Sequence, residues 1–274
     1  MAGFELGLAF EFYRDAQTIY SAHSPFVFDF FKNVLNVHQK IEKLESIEQQ
    51  RRRLKFSNDY ISFVEYGAGS SYKSNKNNRK IRDIARQSLS GKWQCRILYN
   101  LLDHYKFKNI LDLGTSLGIS TAYLGASSVV DRVTTLEGNP ESVKVAKEVW
   151  KNLNLKNIDV YEGEFGVTLP KALDQFDTID MAFMDGNHRK SATLDYYEKL
   201  KEKIAEQSVL VVDDIYWSRE MNEAWNILKA DNSVAFSIDL FRMGMLFFDH
   251  TTMPKQHFKL IPFKYKPWSI GLFG

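Results

Sequence analysis

From residue 108 onward, short apolar runs alternate with segments whose apolar residues recur every three or four positions. NILDL precedes STAYLGAS, RVTTL precedes PESVKVAKEVWKNL, IDVYE precedes VTLPKAL, IDMAFM precedes the segment around ATLDYYEKLKEKI, and SVLVV precedes REMNEAWNILKA. Repeats of this kind predict a parallel sheet with helices on both faces. The order changes at the end. VAFSIDL and GMLFFD stand only a few residues apart, too few for a helical crossover, so they are expected to pair antiparallel. The predicted class is α/β, with a mostly parallel seven-stranded sheet closed by a C-terminal antiparallel hairpin.

Residues 1–107 carry a different pattern. DAQTIYSAHSPFVFDFFKNVLNVHQKIEKLESIEQQRRRLK predicts two or more helices with a break near Ser24-Pro25, and ISFVEYGAGSSYKSNKNNRK has the Gly, Ser and Asn density of an exposed loop. The chain is therefore divided into an N-terminal helical cap and loop region, 1–107, and a main domain, 108–274. The cap is expected to cover the C-terminal edge of the sheet, where ligands bind in such folds. Arg51, Arg52, Arg53, Lys73, Lys76, Arg79, Lys80 and Arg82 could touch RNA. Glu42, Glu45, Glu48 and Asp83 are interspersed with them, which favours a solvated helix face and loop. The tail HFKLIPFKYKPWSIGLF, alternating aromatic and basic residues, is expected to pack at a domain edge.

With 274 residues, 44% of them apolar, the chain can bury a full core. A net charge of +2 singles out no dominant electrostatic partner, and nucleic acid is disfavoured. Glu5, Glu11, Arg14 and Asp15 interrupt any apolar leader, no window has the length of a membrane span, and a cytoplasmic location is expected. The single cysteine, Cys95, excludes an internal disulfide framework and is read as a small buried side chain. A homo-oligomer is compatible with this composition.

Candidate chemistry concentrates in NILDLGTSLGISTA, residues 109–122. An apolar run ends in Asp112, and Gly114 and Gly118 then punctuate a turn leading into a helical pattern. Glycine permits positive φ and close approach, while the free N–H groups at a helix start attract polar ligands. Roughly 20 residues later, RVTTLEGNP ends in Glu137, placed like the acid that holds ribose hydroxyls in nucleotide-binding folds. Asp185, Asp213 and Asp214 follow later strands and can converge there without being neighbours in sequence. Uncompensated, such carboxylates raise one another's pKa; a hard divalent cation such as Mg²⁺ resolves the conflict.

These residues resemble the class I S-adenosylmethionine-dependent methyltransferases, whose first motif reads acid-x-Gly-x-x-x-Gly; the resemblance covers about residues 108–250. It implies a Rossmann-like methyltransferase fold with S-adenosylmethionine as cofactor. Asp112 and Ser120 are then expected at the methionine end, with Ser120 alternatively serving as a helix N-cap, and Glu164 at the adenine amino group, or else simply solvated. Metal-dependent O-methyltransferases of the catechol and caffeoyl-coenzyme A types carry an Asp and an Asp-Asn pair at the two later strand ends. The chain has Asp-Asp in the second place and is more similar to macrocin-type sugar O-methyltransferases, which have a histidine three residues after the first Asp. His188 is that histidine and is the candidate general base, with a turn or helix-capping role as the alternative. Tyr216 and Trp217 are candidate walls of an acceptor pocket. Phe165 stands where the catechol type has a small polar residue, which predicts a differently shaped adenine pocket.

The expected function is methyl transfer from S-adenosylmethionine to a hydroxyl of a small molecule, a sugar or a catechol-like ring, with a divalent metal. A metal-independent methyltransferase acting on RNA or protein, or a non-catalytic cofactor-binding protein, are the alternatives.

Overall fold

The structure, a computed structural model, describes residues 2–37, 40–62, 78–251 and 254–267. EYGAGSS, Lys73 and Lys76 lie outside the described residues. The N-terminal region contributes α1 (Ala2–Asp15), α2 (Pro25–Asn33), α3 (Glu42–Phe56), an antiparallel pair β1 (Tyr60–Ser62) and β2 (Asn78–Lys80), α4 (Ile81–Gln87) and α5 (Lys92–Tyr105). As the sequence suggests, Ser24 stands at the N-cap of α2 and Pro25 at its first turn, where a missing N–H costs nothing.

The main sheet then forms from alternating elements: β3 (Asn109–Leu113), α6 (Ile119–Ala126), β4 (Arg132–Glu137), α7 (Pro140–Asn152), β5 (Ile158–Glu162), α8 (Phe165–Leu173), β6 (Ile179–Met184), α9 (Lys190–Lys201), β7 (Ile204–Asp213) and α10 (Arg219–Ala230). β8 (Phe236–Asp239), β9 (Met243–Phe247) and β10 (Gln256–Lys259) complete it. The order is β10-β8-β9-β7-β6-β3-β4-β5. Only β9 runs against the others, pairing antiparallel with both β7 and β8. The hairpin is thus present, but the sheet has eight strands rather than seven. The additional strand comes from the tail, whose QHFK run pairs parallel with β8 and covers an edge that would otherwise leave backbone groups unpaired.

Side-chain alternation assigns each strand's residues to two layers. Ile110, Met181, Phe183, Val209 and Val211 pack with Phe30 of α2 and Ile97 and Leu101 of α5. Leu111, Ala182, Met184, Leu210 and Val212 face the other way, against Leu169 of α8, Leu200 of α9 and Trp225 of α10. Among the described residues no helix is long and apolar enough to cross a membrane.

Arg51 departs from expectation. Rather than lying on a solvated face with Arg52 and Arg53, it is buried, with Nε donating to Glu48 Oε1 at 2.9 Å and Nη1 to the Ser90 carbonyl at 2.7 Å. Glu48 is buried with it and accepts the Tyr123 hydroxyl at 2.9 Å. Tertiary packing of α3 onto α6 turns two of its charges inward, which a count of interspersed charges cannot reveal. Cys95 lies fully buried beside this pair, and burial pushes its thiol up to about 12.

Candidate active site

β3, β6 and β7 are adjacent, so residues of like parity at their carboxyl ends emerge on one face. Ile110, Phe183 and Val211 face α2 and α5; counting in twos, Asp112, Asp185 and Asp213 follow on the same side. The N-terminal end of α5 meets them there. Ser90 Oγ donates to Asp185 Oδ2 at 2.8 Å, and Gln94 Nε2 donates to Asp213 Oδ1 at 3.0 Å, while Gln94 Oε1 accepts the Gly91 amide. His188 Nε2 stands 3.8 Å from Asp185 Oδ1 and 4.0 Å from Asp214 Oδ2. Arg242 Nη1 stands 3.8 Å from Asp214 Oδ1.

The electrostatics follow from this crowding. Burial, then the neighbouring Asp213 charge, holds the Asp185 carboxyl well above the usual range against the pull of its Ser90 bond. Burial and Asp214 push Asp213 up to about 7, opposed by Gln94. His188 moves the other way: burial lowers its pKa and Asp214 only partly offsets this, so the ring is neutral with a free lone pair near neutral pH. An arrangement of three acids beside a neutral imidazole suits a hard cation chemically. Among the described residues, however, no group of three or more His, Cys, Asp or Glu is placed so that it could hold a metal ion as it stands.

The glycine loop lies beside these acids. At Gly114, with φ of 124°, an added Cβ would come within 2.1 Å of the Asp185 carbonyl oxygen, so only glycine lets β3 and β6 end so close together. Gly118, φ 81°, is the N-cap of α6, and its carbonyl accepts the Trp150 indole N–H at 2.9 Å. Ser120 therefore sits inside the first turn and is not the cap. Glu137 ends β4 and grips the loop: its Oε2 accepts the Ser116 amide at 2.7 Å and its Oε1 the Asn139 amide at 2.8 Å. The Gly138 backbone also acts on this carboxylate, which still has acceptor capacity for a further donor. Asp112 is fully buried; Oδ2 accepts the hydroxyls of Thr121 and Thr135, while Oδ1 has no partner among the described residues. Glu164 precedes α8 with its exposed side chain in no capping bond.

Three non-glycine residues just past the ends of β3, β6 and β7 hold positive φ: Ser116 at 47°, Asn187 at 53° and Asp214 at 53°. Such strain persists where surroundings over-determine it, commonly at functional sites.

Residues 111–215 match the protein family described as a methyltransferase domain. Solved structures agree on the fold. An O-methyltransferase from Bacillus cereus in complex with SAH is 17% identical with a TM-score of 0.55, the likeness covering 81% of this chain and 97% of that one. A putative caffeoyl-CoA O-methyltransferase from Staphylococcus aureus is 15% identical with a TM-score of 0.58, covering 81% and 97%. The O-methyltransferase TomG from Streptomyces achromogenes, in complex with SAM, is 15% identical with a TM-score of 0.55, covering 82% and 96%. No curated protein matches the chain.

Part of this site comes from residues outside the matched segment, and sequence reasoning missed them. Ser90, Gln94 and Arg242 carry no motif signal; only the docking of α5 and of the β8–β9 turn brings them in. The helix-capping alternative for His188 fails as well, because Arg189 is the N-cap of α9. Trp217 is 58% exposed, whereas Tyr216 is half-buried against Phe12 and Phe241. Phe165 presses its ring against Gly186 and toward Tyr196, bringing bulk to the loop after β6.

Proposed function

We propose that the methyltransferase domain moves the methyl group of S-adenosylmethionine to a hydroxyl oxygen of a small molecule, with His188 accepting the proton and a divalent cation held by Asp185, Asp213 and Asp214. The observation that carries this reading is the meeting of those three acids and a neutral His188 beside the Gly114–Gly118 loop. Asp112 supports the cofactor assignment: a buried carboxylate oxygen with no partner is a costly feature that a ligand donor would satisfy. Glu137 would take the ribose hydroxyls on its remaining lone pairs, Ser120 would contribute at the methionine end, and Glu164, free of capping duty, would meet the adenine amino group.

When bound, S-adenosylmethionine supplies a methyl group already activated by its sulfonium, and a cation would lower the pKa of the acceptor hydroxyl. The chain's own part is orientation and proton transfer. Ser90 and Gln94 fix two of the acids, the loop fixes the cofactor end, and the imidazole of His188 takes the proton.

Methyl transfer measured over an acceptor panel, with and without chelator, tests the reading. His188→Ala is expected to bind S-adenosylmethionine as the parent does but to lose rate by a factor on the order of 10² to 10⁴. Asp214→Ala is expected to lose any metal stimulation. Full activity in chelator contradicts the cation, and an undiminished His188→Ala rate contradicts the base.

A further inference from the structure

A cavity of about 370 Å³ opens beside the acids, within the roughly 300–1,000 Å³ typical of small-molecule sites. Both ends of the chain build it: Phe12 of α1, Trp93 of α5, Phe241 and Arg242 of the β8–β9 turn, and Ile261 and Tyr265 beyond β10. Two of these residues join it to the candidate site. Arg242, the one charged residue of the lining among the described residues, reaches Asp214, and its carbonyl accepts the Asp214 amide at 2.7 Å. Trp93 immediately precedes Gln94, which donates to Asp213.

Phe241 supplies a second, independent observation. Its φ is 69°, a left-handed conformation that a bulky residue rarely adopts and that glycine would take without strain. Asp239 enforces it, accepting the Phe241 amide on Oδ1 at 2.8 Å and the Tyr216 hydroxyl on Oδ2 at 2.6 Å. The ring so presented stacks on Tyr216 at 5.1 Å and meets Phe12 at 5.3 Å. The turn thus keeps an aromatic ring at the cavity wall where backbone geometry alone favours none. Trp93 adds an indole N–H that is buried and has no hydrogen-bond partner among the described residues.

We propose that this cavity receives the acceptor, and that the acceptor is an apolar ring compound bearing the reactive hydroxyl rather than a free sugar; this rests on the methyl-transfer reading above. A monosaccharide would set most of its hydroxyls against Phe12, Phe241 and Ile261, with the Trp93 N–H and Arg242 too few to satisfy them. A flat ring buries its faces there and leaves its polar edge toward Arg242 and Asp214.

The test is calorimetric titration of the full-length protein, without cofactor, with 2,3-dihydroxynaphthalene and with methyl glucoside. The diol is expected to bind more tightly by about tenfold or more. Two variants locate it: Ala9→Trp fills the cavity from α1, and Phe241→Gly removes the ring while releasing backbone strain. Each is expected to weaken the diol by about tenfold and to leave S-adenosylmethionine affinity unchanged. Diol binding no tighter than the glucoside, or unaltered in both variants, overturns the inference. Diol binding of the expected kind without any methyl transfer supports the pocket while contradicting the proposed function; methyl transfer to the glucoside but not to the diol overturns the pocket alone.

Discussion

Asp112 shows at the residue scale how a site can oppose the stability of its own fold. Burial pushes this carboxyl from 3.8 up to about 6, with the Thr121 and Thr135 hydroxyls pulling the other way. A folded-state value above the unfolded one means that the folded chain binds the proton more tightly. The contribution to stability therefore rises as pH falls through about 6 and levels off below the unfolded value near 4, by at most about 3 kcal/mol. Asp112→Asn removes the titration. It is expected to be at least as stable as the parent at pH 8, and its advantage is expected to shrink as pH falls to 4.5, read from denaturant midpoints. Asp213, which also lies high, cancels between variant and parent; Asp185 and Glu137, each raised by the Asp112 charge, are lowered when it is removed, which adds to the variant's advantage at high pH. An advantage independent of pH would show that the carboxyl is neutral, or well solvated, throughout.

At the scale of elements, α3 is held by a buried ion pair rather than by its apolar stripe alone. Arg51→Met removes the cationic partner of buried Glu48 and leaves it only the Tyr123 hydroxyl among Leu44 and Ile47, and is expected to cost about 3 to 5 kcal/mol in chemical denaturation. The double variant Glu48→Gln, Arg51→Met is expected to recover most of that loss, because desolvation of the lone carboxylate is the dominant cost. A double variant no more stable than the single one would show that the Arg51 bond to Ser90 carries the effect instead. The strand-and-helix rhythm from residue 108 was legible because both periods are local, and the end of REMNEAWNILKA agrees with α10. Gly114, Glu137 and the strand-end acids were legible too, since strand order brings carboxyl ends together. The inward turn of Glu48 and Arg51, the Ser90 and Gln94 contacts and the strain at Phe241 were not. Each depends on which helix or turn docks against which strand, a long-range fact that no local spacing records.

For the molecule as a whole, the matched methyltransferase domain is framed by the two ends of the chain. Gln17 bridges to Leu260, its amide donating to the Lys259 carbonyl at 2.8 Å and its carbonyl accepting the Ile261 amide at 2.9 Å. This joins the N-terminal segment to the added edge strand, and both flank the cavity beside Asp214. The central claim is that the crevice at the carboxyl ends of β3, β4, β6 and β7 binds S-adenosylmethionine. Calorimetric titration of the parent and of Glu137→Ala with S-adenosylmethionine tests it most directly. The parent is expected to bind at one site, and the variant, folded by circular dichroism, about tenfold or more weaker through loss of charge-assisted hydrogen bonds worth roughly 1.5 to 3 kcal/mol. No binding by the parent, or equal binding by the two proteins, would contradict it.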